Sequence, residues 1–408
     1  MPDPIELVNQ MEEEMTPFLL ESDKIAEHNQ QKVLSAMQEN RLSEAHFAST
    51  TGYGYNDLGR DTLEAIYASV FNAEAALVRP QMVSGTHALA CALFGCLRPG
   101  DTLLYANGAP YDTLHGVIGI RPMPGSLAEY GVKYQQVDLT PGGGFDFEKI
   151  EASLEASFPI KMVAIQRSKG YSWRPSFSAA EINGLIRFIK DRSPSTICMV
   201  DNCYGEFVER DEPQADMVVG SLIKNPGGGL APVGGYIAGS RTCVEEAAYR
   251  LTAPGLGTEV GPTLGLTSHL LQGLFLAPQV VGGSIRGAIL AAAAFENLGY
   301  EVLPGPRDAR ADIVQAIKLG SEDRVTKFCR GVQKAAPVDS FVVPEAASMP
   351  GYDHRVIMAA GAFVSGSSIE FSADAPITPP YIVYMQGGLT RYHAKIGVIS
   401  ALKELMEG

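Results

Sequence analysis

Between about residues 51 and 240 the chain alternates between short β-rich runs and helical stretches. The helical stretches include SGTHALACALFGCL, FDFEKIEASLEA and SAAEINGLIRFIKD. The β-rich runs are ALVRP, DTLLYA, VKYQQVDL, KMVAIQ, TICMVD, DMVVGS and GGYIAG. This alternation predicts an α/β fold with a mainly parallel seven-stranded sheet covered by helices, in which ligands collect at the carboxyl ends of the strands.

The pattern divides the chain into three parts. Residues 1–50 are predicted to form an N-terminal arm with one helix, from Asp23 to Glu39. Residues 51–289 are predicted to form the large domain, and two helix-like segments near 263–299 lead from it into the next part. Residues 290–408 form a smaller α+β domain, because their β-rich and helical runs suggest an antiparallel sheet with helices on one side: DIVQAIKLG, SEDRVTKFCRGVQKAA, HRVIMAAGAF, SSIEFS and YIVYMQGG.

Two charged residues follow neighbouring apolar runs of the large domain. Asp201 ends the run TICMVD, and Lys224 follows the run ADMVVGSLIK. Pyridoxal 5'-phosphate (PLP) chemistry needs such a pair: a lysine amine that forms a Schiff base with the cofactor, and a carboxylate that keeps the pyridine nitrogen protonated. The alternative is that Asp201 ends a strand and Lys224 is a solvated lysine.

A phosphate site is predicted where the motif SGTHA opens a helix. Gly85 and Thr86 place backbone N–H groups at the helix N-terminus, where the dipole favours an anion. Ser84 contributes to this turn or serves only as the N-cap of the helix. Ser221, three residues before Lys224, matches a Ser-x-x-Lys arrangement in which the hydroxyl adds a phosphate contact.

Tyr111, in PYDTL, follows the next predicted strand and is a candidate to stack on the cofactor ring; packing in the core is its other interpretation. His87, His115 and Trp173 also lie near predicted site segments. We interpret both histidines as hydrogen-bonded structural residues rather than catalysts. Trp173 lines the pocket or covers the edge of the core.

Taken together, these motifs resemble the cysteine and methionine metabolism group of fold type I PLP-dependent enzymes. The resemblance covers most of the chain and is closest to the subgroup described as methionine gamma-lyase-like or aluminium-resistance proteins, related to cystathionine beta-lyase. It rests on the phrases GYGYNDLGRD, SGTHA, PYDTL, QRSKGYSWRPS, SLIKNPGGG and YMQGGLT.

The resemblance implies a homotetramer of two dimers whose active sites are shared between subunits. In such enzymes a Tyr-x-Arg segment reaches the cofactor phosphate of the neighbouring subunit. Here GYGYNDLGR occupies the comparable place with altered spacing, which makes Tyr55 and Arg60 candidates. Arg174 is the candidate for binding the substrate carboxylate, in competition with Arg167 and Arg391.

The function expected from these residues is a PLP-dependent carbon-sulfur lyase. It would carry out β- or γ-elimination on a small amino-acid substrate, cystathionine, cysteine or methionine, with Lys224, Tyr111 and Asp201 as catalytic residues. An aminotransferase or another PLP enzyme of the same fold uses the same Asp/Lys pair. A third hypothesis is a non-catalytic binding protein on this fold. The presence of Lys224, Asp201, Tyr111 and the phosphate turn together argues against it, because a non-catalytic protein has no physical need for all four.

The composition of the chain argues against several other classes of protein. The formal net charge of −14, without a basic cluster, argues against a nucleic-acid partner. The six cysteines form no CxxC pair, which favours reduced, buried thiols over metal ligands. The acidic N-terminus is unlike a signal peptide, and no uninterrupted apolar stretch is long enough for a membrane span, so a cytoplasmic protein is expected.

Overall fold

The computed structural model describes residues 2–156, 159–349, 351–352 and 354–407. The N-terminal arm holds two helices where the sequence predicted one: α1 (Pro4–Glu14) and α2 (Thr16–Glu39). Asp3 caps α1 by accepting hydrogen bonds from the backbone N–H groups of Ile5 and Glu6. The prediction missed α1 because its polar and acidic sequence hides the apolar face of Leu7, Val8 and Met11, which is buried.

The predicted mainly parallel sheet of seven strands is confirmed. Its spatial order is β1-β7-β6-β5-β4-β2-β3, and β7 is antiparallel to both of its neighbours. The strands are nearly all buried, as expected for a sheet covered on both faces. They are β1 (Ala75–Arg79), β2 (Thr102–Tyr105), β3 (Lys133–Gln136), β4 (Ile160–Gln166), β5 (Ile197–Asp201), β6 (Met217–Ser221) and β7 (Gly235–Gly239).

Helices connect these strands and cover both faces of the sheet. A capping box between Ser178 and Glu181 marks the start of helix α7 (Ala179–Arg192). The six helices are α3 (Leu58–Val70), α4 (Gly85–Cys96), α5 (Asp112–Ile118), α6 (Phe147–Leu154), α7 (Ala179–Arg192) and α8 (Arg241–Leu251).

One long helix, α9 (Thr267–Asn297), replaces the two segments predicted near 263–299. It continues through Pro278 and extends past the predicted domain boundary at residue 289. By length and composition it could cross a membrane, but 78% of its most apolar 18-residue window is buried inside the molecule. Gly228, at φ +53°, lies so close to α9 that a Cβ there would overlap the carbonyl oxygen of Gly273. This contact fixes the loop that follows Lys224.

The C-terminal part forms the predicted antiparallel sheet, in the order β10-β11-β12-β13-β9-β8. The predicted run SSIEFS only introduces its strand, which begins at Ser372. A cavity lies between the carboxyl ends of the large sheet and this second sheet. The elements are β8 (Glu301–Leu303), β9 (Gln315–Lys318), α10 (Glu322–Lys334), β10 (Ala347–Ser348), β11 (Arg355–Ala359), β12 (Ser372–Pro376), β13 (Ile382–Gln386) and α11 (Arg391–Met406).

Candidate active site

The cavity has a volume of about 370 Å³ and contains Lys224 in its wall. The lysine follows β6 in a tight turn, and its Nζ lies 4.0 Å from the centroid of the Tyr204 ring. Burial disfavours the ammonium form, but the neighbouring Cys203, Tyr204 and Asp201 outweigh burial and raise the pKa of Lys224. Tyr204 adopts φ +74°, a strained conformation for a tyrosine, which places its ring against the lysine.

Asp201 is the last residue of β5 and also lines the cavity. Its Oδ1 accepts a hydrogen bond of 3.2 Å from the backbone N–H of Cys203. Burial raises the pKa of Asp201, whereas the positive charge of Lys224 lowers it. Because β5 and β6 are adjacent parallel strands, the acid and the lysine meet at one edge of the sheet, as the sequence predicted.

The N-terminus of α4 forms one end of the same cavity, with Ser84, Gly85 and Thr86 in its wall. Ser84 caps the helix by accepting from the backbone N–H of His87. A Cβ at position 85 would lie 3.1 Å from the Cβ of Ser221, so glycine permits this close approach. Among the described residues, the buried Oγ of Ser221 has no hydrogen-bond partner. Helix dipole and orphan hydroxyl together suit a phosphate.

Tyr111 immediately precedes α5 and lines the cavity. Its hydroxyl lies 2.7 Å from that of Tyr352, and the two rings meet edge to face at 6.0 Å. Burial raises the pKa of Tyr111 well above its ordinary value, so the side chain is a neutral phenol with a proton to donate.

The two residues predicted to reach a neighbouring subunit do not line the cavity of their own chain. Tyr55 is 56% exposed, and its ring stacks on that of Tyr53 at 5.3 Å. Arg60 is buried, and its guanidinium donates to the carbonyl oxygens of Gly54, at 2.7 Å, and Gly261, at 3.3 Å. Arg60 therefore anchors the loop that carries the two exposed tyrosines.

None of the three candidate arginines lines the cavity. Arg174 donates to the carbonyl oxygens of Ser168, at 2.6 Å, and of Gln166, behind the cavity wall. Arg167 is fully buried in ion pairs with two glutamates. Arg391 is exposed at the start of α11. The prediction for Arg174 has no support in this geometry, because its guanidinium is already engaged by backbone carbonyls.

Both histidines make structural hydrogen bonds and lie outside the cavity lining. Nδ1 of His87 accepts from the backbone N–H of Val83, and Nε2 of His115 lies 3.0 Å from the carbonyl oxygen of Pro110. Trp173 is at the surface beneath Lys318, whose Nζ lies 4.7 Å from the ring centroid. All six cysteines are buried and unpaired.

The cavity also contains residues that the sequence analysis missed. Two are Asp374 in β12 and Gln386 in β13, which reach the cavity from the second sheet. Asp374 is a lone acid between two buried alanines, a signal like that of Asp201. Further examples are Cys203 and Tyr204, from the loop after β5, and Tyr352.

A lysine and an acid at adjacent strand ends, beside a helix N-terminus, are the hallmarks of a fold type I PLP-dependent protein. The fold is that of the PLP-dependent protein YhfS from Escherichia coli, with a TM-score of 0.62 at 16% identity over 94% of this chain and 96% of that one.

The chain belongs to the methionine gamma-lyase family, whose sequence profile matches residues 4–406. It is 50% identical to a structure named carbon-sulfur lyase involved in aluminum resistance, from Clostridium novyi NT, with a TM-score of 0.94 over 98% of this chain and 95% of that one. It is 48% identical over 390 residues to uncharacterized protein YnbB of Bacillus subtilis (strain 168), covering 94% of this chain and 92% of YnbB. The resemblance inferred from the motifs is thereby confirmed.

The residues of the cavity fit PLP. The α4 N-terminus and the orphan hydroxyl of Ser221 would hold the phosphate, Asp201 the pyridine nitrogen, and Lys224 the aldehyde carbon.

Proposed function

We propose that this protein is a PLP-dependent carbon-sulfur lyase that carries out β- or γ-elimination on a sulfur-containing amino acid. The products are a thiol, a 2-oxo acid and ammonia. The observation that carries the proposal is the neutral phenol of Tyr111 in the same cavity as Lys224 and Asp201. The family membership supports the same reaction class.

Bound PLP would supply an electron sink for the carbanion formed at the substrate Cα. The chain supplies the proton transfers. The Lys224 side chain, once its amine is deprotonated, is the group in the cavity that can remove the Cα proton. Asp201 would keep a proton on the pyridine nitrogen of bound PLP, because a carboxylate beside that nitrogen favours the protonated ring.

Tyr111 would complete the elimination by protonating the departing sulfur. Its hydroxyl keeps its proton at neutral pH because burial raises its pKa. The hydrogen bond with Tyr352 can orient that proton and share the negative charge left on the phenol oxygen. A transaminase has no leaving group to protonate at this position, so this acid favours elimination.

We also propose that the active enzyme is a homotetramer built from dimers with shared sites. Tyr53 and Tyr55 form an exposed aromatic pair, held on a loop that the buried Arg60 anchors. Exposed aromatic residues on an anchored loop suit contact with a second subunit. Tyr55 would then complete the neighbouring cavity, whereas Arg60 acts through the loop.

The test is a product screen of the PLP-reconstituted protein with cystathionine, cysteine and methionine, using alanine and aspartate as controls. We expect thiol, 2-oxo acid and ammonia in equal amounts from a sulfur substrate, without an added 2-oxo acid. Tyr111→Phe, which removes only the hydroxyl, should lower kcat about 100-fold or more. The matched control is Tyr130→Phe, at an exposed tyrosine outside the cavity. Turnover of the controls alone, or only with added 2-oxo acid, would refute the lyase assignment.

A further inference from the structure

The cavity contains one carboxyl for which PLP binding has no use. Its charged lining residues are Lys224, Asp201 and Asp374, and no arginine occurs among the described residues of the lining. Lys224 and Asp201 serve the cofactor. Asp374 comes from the second sheet, opposite the strand ends that would hold the cofactor, and therefore faces the volume left for substrate.

Asp374 is held in place by its own sheet. Its Oδ2 accepts a hydrogen bond of 3.1 Å from Nε2 of Gln386, and the same amide donates to Oγ of Ser372 at 3.1 Å. Gln386 lies on the neighbouring strand β13, and Ser372 lies on β12 itself. The strand pairing therefore gives the carboxyl a defined position. Gln386 and the Tyr171 hydroxyl satisfy only part of the hydrogen-bonding capacity of a carboxylate, which has about four acceptor sites.

Tyrosine side chains share the cavity region with this carboxyl, among them Tyr171 and Tyr352. The ring of Tyr171 lies 5.8 Å from that of Tyr352 and 5.3 Å from that of Tyr384. The hydroxyl of Tyr171 is buried beside Asp374. Burial has the larger effect on the pKa of that carboxyl and raises it, whereas the Tyr171 hydroxyl helps to lower it. A carboxylate beside several aromatic faces is the arrangement that proteins use to bind an organic cation, through charge and cation–π attraction.

Resting on the proposed lyase function, we propose that Asp374 determines specificity by binding a cationic ammonium group at the far end of the substrate side chain. The preferred substrate is then a thioether amino acid with a second amino group beyond the sulfur. Cysteine and methionine lack that group. A carboxylate here also repels any substrate whose side chain ends in a carboxylate alone.

The first test measures binding and does not depend on elimination. L-Lysine and L-norleucine are similar in shape, but the side chain of lysine ends in an ammonium group and that of norleucine ends in a methyl group. Neither contains a sulfur atom that could leave. Each is titrated into the PLP-reconstituted protein at pH 8, and the change in cofactor absorbance gives its Kd. We expect lysine to bind about 10- to 100-fold more tightly than norleucine, the range for one charge-assisted contact.

Asp374→Asn should abolish the preference for lysine and leave the Kd of norleucine within about threefold of the wild-type value. Asp323→Asn is the matched control, because it removes an exposed carboxylate on α10, outside the cavity, that pairs with Lys327. Absence of a lysine preference in the wild type overturns the proposal by itself, whether or not the variant folds. Equal weakening of both ligands by Asp374→Asn also overturns it, because that result means a structural role.

The second test measures turnover of a matched thioether pair, S-(2-aminoethyl)cysteine and S-propylcysteine. We expect kcat/KM to favour the aminoethyl compound about 10-fold or more in the wild type and to be nearly equal for the two in Asp374→Asn. If neither compound is cleaved but the lysine preference vanishes in the variant, the Asp374 assignment stands and the lyase proposal falls. If both are cleaved equally by the wild type, the Asp374 assignment falls and the lyase proposal stands.

Discussion

A carboxylate kept in a cavity for binding should lower the stability of the empty protein, and Asp374→Asn tests this. Burial raises the pKa of Asp374 from 3.8 to about 6, although the hydrogen bond from Gln386 opposes the rise. Between those pH values the unfolded chain has released this proton and the folded protein has kept it. Stability contributed by the protonated group is therefore fully present below about pH 4 and is lost as the pH rises through 6.

A shift of about two pKa units corresponds to about 3 kcal/mol at 1.36 kcal/mol per unit. The carboxyl faces the cavity, where water screens it, so about 2 kcal/mol is the better expectation. With an unfolding entropy of about 2.1 cal/mol/K per residue, this equals about 2–3 °C in Tm for a chain of 408 residues. Asparagine has nearly the same shape and does not titrate.

The assay is thermal unfolding of the protein without PLP, for the wild type and Asp374→Asn, at pH 4.5 and pH 8. We expect the Tm of the variant relative to the wild type to be higher at pH 8 than at pH 4.5 by about 2–3 °C. Asp323→Asn should show no such change, because its carboxyl is exposed. An unchanged difference between the two pH values, or a variant that is relatively less stable at pH 8, would refute the reasoning.

Three further predictions concern the site and the assembly. Borohydride reduction of the PLP-loaded protein, followed by peptide mapping, should label Lys224; a label on another lysine contradicts the cofactor assignment. Asp201→Ala should fold but lose several powers of ten in kcat, because the ring nitrogen loses its carboxylate; near-normal turnover by the folded variant disproves that role. Mixed Lys224→Ala and Tyr55→Ala subunits should recover up to about a quarter of the wild-type activity if sites are shared in randomly paired dimers. With subunit exchange confirmed, no recovery argues against sharing.

Much of the site could be predicted from the sequence because its parts lie at strand ends. Asp201 and Ser221 close two buried strands, Lys224 follows the second by three residues, and Gly85 opens a helix. In a parallel sheet such positions meet at one edge, whatever the exact packing. The β-rich runs predicted the strands, most clearly where a buried strand is continuously apolar, as in β5 and β6.

Elements whose burial comes from distant partners were harder to predict. Helix α1 is amphipathic with a polar majority, and its apolar stripe is visible only when it packs on α9 and α11. Helix α9 reads as two segments because glycine and proline interrupt it, yet tertiary packing buries most of its length and outweighs these local preferences.

The sequence by itself therefore determined the fold class and the family, and it predicted which residues at the strand ends lie together in the cavity, because local patterns encode strand ends. Only the tertiary structure decided which groups of the second sheet line the cavity. Asp374 follows Lys224 by 150 residues in the sequence. Its place in the cavity depends on how the second sheet packs against the first. The same packing turned Arg174 toward backbone carbonyls and away from the cavity. Side-chain direction at a domain junction is set by contacts between segments distant in sequence, which no local pattern records.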